Sequence, residues 1–251
     1  MGYNVYKYNH IKNTLEHNLN IFDGEKLPAQ YGFGLDERVV EYPWFFSRLK
    51  KNEITILDAG STLNHASILS LKYLKNRKLY ISTLSCEGFH HLEKVPSYIY
   101  EDLKEMSYKN DFLDAVVCLS TLEHVGMDNT FLYTTKTSKK ENDESSYLKA
   151  LKELKRILKV GGSLYLTMPF GKYKNHKWFQ VFDEAMVLKI KEEFAPSKIS
   201  ETYFKYENKQ WNYSNARACR DATYFDIHHE RRYRQDHLVA SESVVCLELV
   251  K

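Results

Sequence analysis

Short apolar runs alternate with longer amphipathic stretches through the middle of this 251-residue chain. The apolar runs occupy residues 54–58, 78–84, 97–100, 113–120 and 163–169. Strands that are separated by helices form β-α-β units, in which the strands lie parallel and the helices cover both faces of the sheet. The run at 115–119 is apolar throughout, which is typical of a central strand buried on both faces. The pattern therefore predicts a parallel sheet between two layers of helices.

The clearest helical pattern lies at 145–159, where leucine and isoleucine recur at helical spacing and lysines occupy the other face. Gly161 and Gly162 follow this stretch, and we expect them to end the helix. The remaining predicted helices span 37–51, 64–75 and 183–194. Pro43 is expected to interrupt the early part of the first of these.

Two more strands, near 198–206 and at 244–250, bring the predicted number of strands to seven. We therefore expect an α/β protein with a doubly wound, mostly parallel, seven-stranded Rossmann-like sheet. The predicted boundaries are an N-terminal helical segment at 1–51, a core at 52–206 and 241–251, and a C-terminal insertion at 207–240.

The opposing charges are nearly balanced, with 36 Lys and Arg against 33 Asp and Glu. A protein that coats a polyanion usually needs a strongly basic surface, so this balance argues against such a role. The four cysteines are scattered without a C-x-x-C pair, which argues against a disulfide scaffold or a zinc cluster. The N-terminus has no apolar run, and no stretch approaches the ~18 apolar residues of a membrane span. We therefore predict a cytoplasmic protein without a signal peptide or a membrane span.

The segment ILDAGS at 56–61 ends a predicted strand with an acidic residue and a glycine. In open α/β sheets, ligands bind at the edge formed by the carboxyl ends of the strands. Gly60 would let the backbone approach such a ligand closely, and Asp58 could accept hydrogen bonds from a cationic or hydroxylated group. A strand that simply ends in a turn would show the same pattern, so this motif alone leaves both interpretations open.

Further polar residues follow the other predicted strands in an ordered series. These are Glu87 after the second strand, Asp102 and Leu103 after the third, and the segment CLSTLEHVGMDN at 118–129 after the fourth. Together with the D-x-G-S loop, this series resembles the class I S-adenosylmethionine-dependent methyltransferases over residues 52–170. The segment LSTLEHVGMDNT is the most specific part, and it is similar to a subgroup from bacterial capsule and lipopolysaccharide biosynthesis.

The resemblance implies S-adenosyl-L-methionine as the cofactor and S-adenosyl-L-homocysteine as the product. The loop that contains Asp58, Gly60 and Ser61 would surround the methionine part of the cofactor. Glu87 would accept hydrogen bonds from the two ribose hydroxyls.

The same resemblance assigns the other end of the cofactor and the reacting methyl group. Asp102 would accept a hydrogen bond from the adenine amino group, and the Leu103 backbone N–H would point to a ring nitrogen. Leu119 and Ser120 would line the sulfonium side, close to the transferred methyl.

Methyl transfer from a sulfonium is an in-line displacement, so the enzyme mainly has to align the acceptor with the methyl group. A weakly acidic hydroxyl acceptor benefits from a general base, and His124 is our candidate, with Glu123 orienting it or contacting the acceptor. The Glu-His pair could instead cap the following helix or bind a metal. Metal-assisted relatives have a carboxylate three residues before this pair, where this chain has Ser120, so we predict no metal.

Candidate substrate contacts lie in two later segments. Tyr173 and His176 follow the fifth strand, where the loop would face the acceptor. Trp211 and Arg217 belong to the insertion, which could cover the acceptor site. The basic cluster HHERRYR at 228–234 could bind a phosphate through arginine, or it could be a solvated surface.

The sequence thus predicts a methyltransferase that O-methylates a small phosphorylated or nucleotide-linked precursor, namely a sugar or a phosphoryl or phosphoramidate oxygen, in bacterial surface-glycan biosynthesis. One alternative is a non-catalytic module that keeps the fold, because the first loop departs from the common glycine pattern. The other is a nucleic-acid methyltransferase. Enzymes of this kind often carry an Asn/Asp-Pro-Pro-aromatic turn after the fourth strand, where the flipped base stacks. This chain has STLEH there, which argues against this alternative. We expect a small-molecule acceptor and no nucleic acid as partner. The sequence leaves open whether the chain forms a homodimer.

Overall fold

The computed structural model describes residues 2–86, 97–134, 136–230, 232 and 234–251 of the chain. Its strands are β1 (Thr55–Ala59), β2 (Lys78–Thr83), β3 (Ser97–Tyr100), β4 (Leu113–Leu119), β5 (Leu158–Pro169), β6 (Lys174–Asn175), β7 (Gln180–Val181), β8 (Lys198–Glu207), β9 (Gln210–Ser214) and β10 (Ser243–Val250). Its α-helices are α1 (Tyr3–His17), α2 (Arg38–Arg48), α3 (Ala66–Leu69), α4 (Thr130–Tyr133), α5 (Tyr147–Ile157), α6 (Glu184–Phe194) and α7 (Ala216–Cys219). Short 3₁₀ turns lie at Leu19–Asp23, Lys72–Leu74, Leu122–His124 and Thr137–Lys139.

The central sheet has eight strands in the order β3-β2-β1-β4-β5-β10-β8-β9. The five strands from β3 to β5 in this order run parallel. β10 runs antiparallel to both β5 and β8, and β9 antiparallel to β8. The prediction of a mostly parallel α/β sheet is confirmed, whereas the predicted number of seven strands is wrong, because the sheet is mixed and contains an eighth strand.

The extra strand, β9, lies in the segment predicted as an insertion. It forms a hairpin with β8 across Asn208 and Lys209, whose φ angles of 53° and 63° are both positive. Two central residues with positive φ match the twist of a two-residue β-hairpin, although glycine is more usual there than lysine. Trp211 on this strand is fully buried, so the hairpin extends the sheet and its core together.

Pro43 lies inside α2 and does not interrupt it. Because proline has no N–H, the Val39 carbonyl one turn earlier loses its helical hydrogen-bond partner. The Tyr31 hydroxyl donates to that carbonyl at 2.7 Å and takes the place of the missing donor. This contact explains how the helix passes through a residue that was expected to interrupt it.

Gly161 and Gly162 lie within β5 and do not end the preceding helix, which stops at Ile157. The pairing of β4 with β5 advances from Leu113 opposite Leu158 to Ala115 opposite Ser163. The extra β5 residues form a bulge at the start of the strand, where Gly161 has a φ of +79°. The predicted helix at 64–75 is also shorter than expected, since it divides into α3 and a 3₁₀ turn.

The two faces of the sheet are covered by different parts of the chain. On one face, Ile11 of α1 and Trp44 of α2 are buried in one cluster with Trp211 of β9 and Phe204 of β8. On the other face, α5 and α6 pack against the sheet and against each other. Within the described residues, no helix combines the length and the apolar character needed to cross a membrane.

Candidate functional site

A cavity of about 340 Å³ opens at the carboxyl ends of β1, β2, β3 and β4. This is the edge of an α/β sheet at which ligands bind. Its described lining consists of Gly60, Thr83, Leu84, Ser85, Glu101, Asp102, Leu103, Thr121, His124, Val125, Gly126, Met127, Asn129, Leu132, Tyr133, Glu141 and Trp178. The cavity therefore brings together residues that the sequence placed after four separate strands.

The carboxylate of Asp58 organises the loop after β1. It is fully buried, and it accepts hydrogen bonds from the Thr62 backbone N–H at 3.1 Å and the Leu63 N–H at 2.7 Å. The Thr62 hydroxyl donates to the same carboxylate. Asp58 thus folds the loop that reaches the cavity, and Ser61 takes a φ of +62° within it.

Gly60 lines the cavity at a point of close contact with the loop after β4. Its φ is +111°, and a Cβ there would lie 2.2 Å from the Thr121 hydroxyl oxygen. Both the positive φ and the lack of space for a Cβ require glycine at this position. The close approach to Thr121 joins the first loop to the segment that contains His124.

At the ends of β2 and β3, carboxylates and hydroxyls line the cavity. Asp102 and Leu103 form part of the wall, as does Ser85. Glu87, the predicted ribose-binding residue, lies outside the described residues. Glu101 also lines the cavity, and its carboxylate accepts hydrogen bonds from the Ser82 hydroxyl at 2.8 Å and from Ser107.

Sequence reasoning missed Glu101, although a signal was present. It directly follows the predicted third strand and precedes Asp102 by one residue. Polar side chains at that position of an α/β sheet are ligand-binding candidates.

Asp102 is held by its neighbour Lys104. Its carboxylate accepts from the Lys104 backbone N–H at 2.9 Å, and the Lys104 ammonium lies 3.4 Å away. The same ammonium pairs with Glu141, which also lines the cavity. Lys104 therefore neutralises part of the negative charge of Asp102 and Glu141, two of the three carboxylates in the described lining.

Leu119 and Ser120 are not among the described lining of the cavity. The Leu119 carbonyl accepts a hydrogen bond from Arg38 at 3.2 Å, and the Ser120 hydroxyl donates to Glu41. Thr167 donates to the same Glu41 oxygen at 2.6 Å. The predicted contact of Leu119 and Ser120 with the cofactor stays a prediction; the Leu119 carbonyl and the Ser120 hydroxyl are bonded to Arg38 and Glu41 of α2.

Glu123 is buried, and its Oε2 has no hydrogen-bond partner among the described residues. Burial raises the pKa of its carboxyl well above the usual range, and the nearby charge of Glu41 raises it further. Both effects favour the protonated, neutral form of the Glu123 carboxyl.

His124 lines the cavity and is held from one side. Its Nδ1 lies 3.0 Å from the Trp178 carbonyl oxygen and 3.2 Å from the Asn129 side-chain oxygen. Burial lowers the pKa of the imidazole to about 4, an effect that the hydrogen bond to Trp178 partly opposes. The ring is therefore neutral at pH 7, and burial makes it a weaker base than a free imidazole.

The predicted substrate contacts separate into two groups. Tyr173 is at the surface and donates to Glu144 at 2.6 Å. His176 is buried, stacks on Phe179 with ring centroids 4.3 Å apart, and lies 3.5 Å from Asp226. Neither Tyr173 nor His176 is among the described lining of the cavity, to which the β6–β7 hairpin contributes Trp178.

Trp211 and Arg217 lie elsewhere. Trp211 is fully buried and donates its indole N–H to the Leu35 carbonyl at 3.0 Å, so it has no surface to offer a substrate. Arg217 is exposed on α7, which packs against β8. The sequence expectation that both cover the acceptor site is therefore corrected for Trp211, because its aromatic ring completes the core beneath α2.

The basic cluster at 228–234 is described only in part, since Arg231 and Tyr233 lie outside the described residues. Arg234 is already paired with Asp236 at 2.6 Å and lies 3.6 Å from Glu242. His229 contacts Asp226 at 2.8 Å. Over the described chain, no group of three or more His, Cys, Asp or Glu side chains is placed to hold a metal ion.

Comparisons with known proteins extend the geometric result. No protein-family model matches the sequence. No curated protein matches it either. Solved structures do match. One is the complex of the Haloferax volcanii Trm112 methyltransferase activator with a methyltransferase, at 12% identity and a TM-score of 0.51, covering 96% of this chain and 97% of that chain.

A second solved structure is an S-adenosylmethionine-dependent methyltransferase from Archaeoglobus fulgidus, at 12% identity and a TM-score of 0.51, covering 86% of this chain and 96% of that chain. Identity this low identifies the fold alone. The chain therefore has the α/β Rossmann-like fold of S-adenosylmethionine-dependent methyltransferases, built here on a mixed sheet of eight strands.

Proposed function

We propose that this protein is an S-adenosylmethionine-dependent methyltransferase that O-methylates a small molecule. The observation that carries the proposal is the single cavity that extends from Asp102 and Leu103, past Gly60, to His124. Three of the predicted cofactor residues, Gly60, Asp102 and Leu103, line it together with a neutral histidine. Fold alone would not support an activity, because one fold hosts many functions.

The residues of the cavity fit the proposed cofactor. Its volume of about 340 Å³ lies within the range of small-molecule sites, roughly 300–1,000 Å³. Carboxylates at one end can accept hydrogen bonds from amino and hydroxyl groups, and Leu103 and Leu132 supply apolar surface for a flat ring. S-adenosylmethionine would supply an electrophilic methyl group. Asp102 and Leu103 would hold its purine end, and the loop at Asp58–Gly60–Ser61 would hold its methionine end. Glu87 stays the predicted ribose ligand.

His124 is the proposed general base. Both neighbours of its Nδ1 offer oxygen acceptors, so the neutral ring carries its proton on Nδ1 and keeps the lone pair on Nε2. Nε2 would take the proton of the acceptor hydroxyl as the oxygen attacks the methyl carbon. Glu123 precedes it in the chain, burial raises the pKa of its carboxyl, and we assign it a supporting role in orienting the loop.

The proposed acceptor is a phosphorylated or nucleotide-linked precursor of a bacterial surface glycan, methylated on a sugar hydroxyl or on a phosphoryl or phosphoramidate oxygen. This finer proposal rests on the resemblance of 119–130 to methyltransferases of those pathways. Tyr173 and His176, which follow the fifth strand in sequence, remain the proposed substrate contacts.

A non-catalytic role is the second candidate, and one observation favours it. The Asp58 carboxylate is bonded within its own loop, through Thr62 and Leu63. A protein that keeps the fold only as a scaffold would use the aspartate in this way.

Two measurements separate these candidates. Mass spectrometry of the purified protein should detect retained S-adenosylmethionine or S-adenosylhomocysteine. Transfer of a radiolabelled methyl group should then be screened over nucleotide sugars, sugar phosphates and an RNA control. Label in a small molecule that disappears in His124→Gln supports the proposal. Cofactor binding without transfer to any acceptor supports the scaffold, and label in RNA would instead identify a nucleic-acid methyltransferase.

A further inference from the structure

We propose that Asp226, in the C-terminal insertion, is a positioning residue that acts on His124 through Trp178. The significance for catalysis rests on the proposed function, whereas the positioning itself is a property of the folded chain. The geometry points to a chain of three contacts, from the insertion through the β6–β7 hairpin to the loop after β4.

The first contact sets the tautomer of His124. A backbone carbonyl can only accept, so the 3.0 Å contact between Nδ1 and the Trp178 oxygen requires a proton on Nδ1. The Asn129 side chain agrees, because its nitrogen donates to the His124 and Met127 carbonyls and its oxygen therefore faces Nδ1. The lone pair is thus left on Nε2.

The second contact holds the residue that carries this carbonyl. Trp178 lies at the tip of the β6–β7 hairpin, and its indole N–H donates to Asp226 at 3.3 Å. The ring also lies 5.0 Å from the His124 ring, measured between centroids. Anchoring the indole therefore fixes the backbone of Trp178 relative to His124.

The third contact makes Asp226 an anchor for the whole hairpin tip. Asp226 is only 3% exposed, and besides Trp178 it contacts His176 at 3.5 Å and His229 at 2.8 Å. Its other oxygen accepts from the His228 backbone N–H at 3.1 Å. Burial would raise the pKa of this carboxyl, but the hydrogen bonds from His229, Trp178 and His228 outweigh burial and keep it ionised.

The opposite side of the hairpin tip is tied to the His124 loop. The Asp128 backbone N–H donates to the Lys177 carbonyl at 3.0 Å. The tip is therefore held between Asp226 and the segment that bears His124. An insertion that lies far from His124 in sequence thereby controls which imidazole nitrogen is basic.

The test measures the tautomer directly by ¹⁵N nuclear magnetic resonance of the histidine side chains. The signal of His124 is assigned by its loss in His124→Gln. At pH 7 the wild-type ring should have a protonated Nδ1 and an unprotonated Nε2. Asp226→Asn and Trp178→Phe should each raise the fraction of His124 rings that carry the proton on Nε2 by a factor on the order of five. This factor corresponds to the net contribution of one hydrogen bond. The double variant should show no further change, because both substitutions break the same link.

The matched control is Asp236→Asn, at another aspartate of the insertion. The Asp236 carboxylate accepts hydrogen bonds from Arg234 and from the Leu238 backbone N–H, and it makes no described contact with the hairpin. Its His124 tautomer should equal that of the wild type. A wild-type tautomer in both Asp226→Asn and Trp178→Phe would overturn the proposal, as would an equal shift in Asp236→Asn. The measurement needs neither cofactor nor acceptor, so absence of methyl transfer would contradict the proposed function and leave this result unchanged.

Discussion

Charged side chains from two distant parts of the chain meet beneath the cavity. Arg38 donates to Glu41 at 2.7 Å, and Glu41, Arg38 and Glu37 all lie close enough to Glu123 to act on its charge. With three carboxyls and one guanidinium, the cluster cannot be neutral unless carboxyls bind protons. Burial accordingly raises the pKa of both Glu37 and Glu123.

This burial predicts how stability depends on pH. A carboxyl whose pKa is raised in the folded state keeps its proton where the unfolded chain, with a pKa of ~4.3, has lost it. The folded state then binds more protons, so the free energy of unfolding falls as pH rises above that value. Glu123→Gln should lose less stability between pH 5 and pH 8 than the wild type. Urea unfolding at the two pH values measures this, with exposed Glu25→Gln as the control, and parallel curves for Glu123→Gln and the wild type would refute the account.

The imidazole of His124 should titrate well below an ordinary histidine. Burial lowers its pKa to about 4, against ~6.5 for a free side chain. Between these values the unfolded chain binds the proton and the folded chain does not, so His124 destabilises the fold as pH falls through this interval. A nuclear magnetic resonance titration should place its midpoint below pH 5. A midpoint at or above 6.5 would show that the ring is not shielded as described.

The loop after β1 depends on a glycine with two separate constraints. Gly60→Ala would place a Cβ against Thr121 and impose a side chain on a φ of +111°. We expect a loss of ~2–4 kcal/mol in the free energy of unfolding, from backbone strain and overpacking together. Gly161→Ala is the matched control, because φ is +79° there with no atom near the new Cβ, and backbone strain alone costs ~1–2 kcal/mol. Equal losses in the two variants would mean that the contact with Thr121 is unimportant.

Helix α2 depends on a hydroxyl outside it. Tyr31→Phe would leave the Val39 carbonyl without the donor that replaces the N–H missing from Pro43. An unsatisfied buried carbonyl costs ~1–3 kcal/mol. Chemical denaturation should show this loss, whereas Tyr203→Phe, which removes an exposed hydrogen bond to Glu201, should change stability by less than ~0.5 kcal/mol. A Tyr31→Phe variant as stable as the wild type would contradict the role assigned to Tyr31.

The parallel strands could be predicted from sequence because each is an apolar run buried by its neighbours. β9 could not, because the turn at Asn208 and Lys209 lacks the glycine that marks a hairpin. The continuation of α2 through Pro43 depends on Tyr31, a contact between separate segments that no local pattern shows. The cavity shows the same division. Asp102, Leu103 and His124 follow strands and could be predicted, whereas Trp178 could not, because it reaches the cavity only through the β6–β7 hairpin.

At the scale of the whole molecule, the terminal regions are parts of the same packed body as the sheet. Ile11, Trp44 and Trp211 are each fully buried in one cluster with residues of the central strands. The segment 207–240 contributes both to this core, through Trp211, and to the wall of the cavity, through the contact of Asp226 with Trp178. The sheet edge that carries the cavity is therefore supported from both ends of the chain.

Calorimetric titration of the purified full chain with S-adenosylmethionine tests the central claim, that the cavity at the carboxyl edge is a cofactor site. We predict binding at one site per chain with a Kd on the order of 1–100 µM, as is usual for enzyme ligands at physiological levels. Asp102→Ala should weaken it about tenfold through loss of a charge-assisted hydrogen bond, and Asp236→Asn should leave it unchanged. A Kd weaker than ~1 mM, which corresponds to a free energy of association of only about −4 kcal/mol, would contradict the claim.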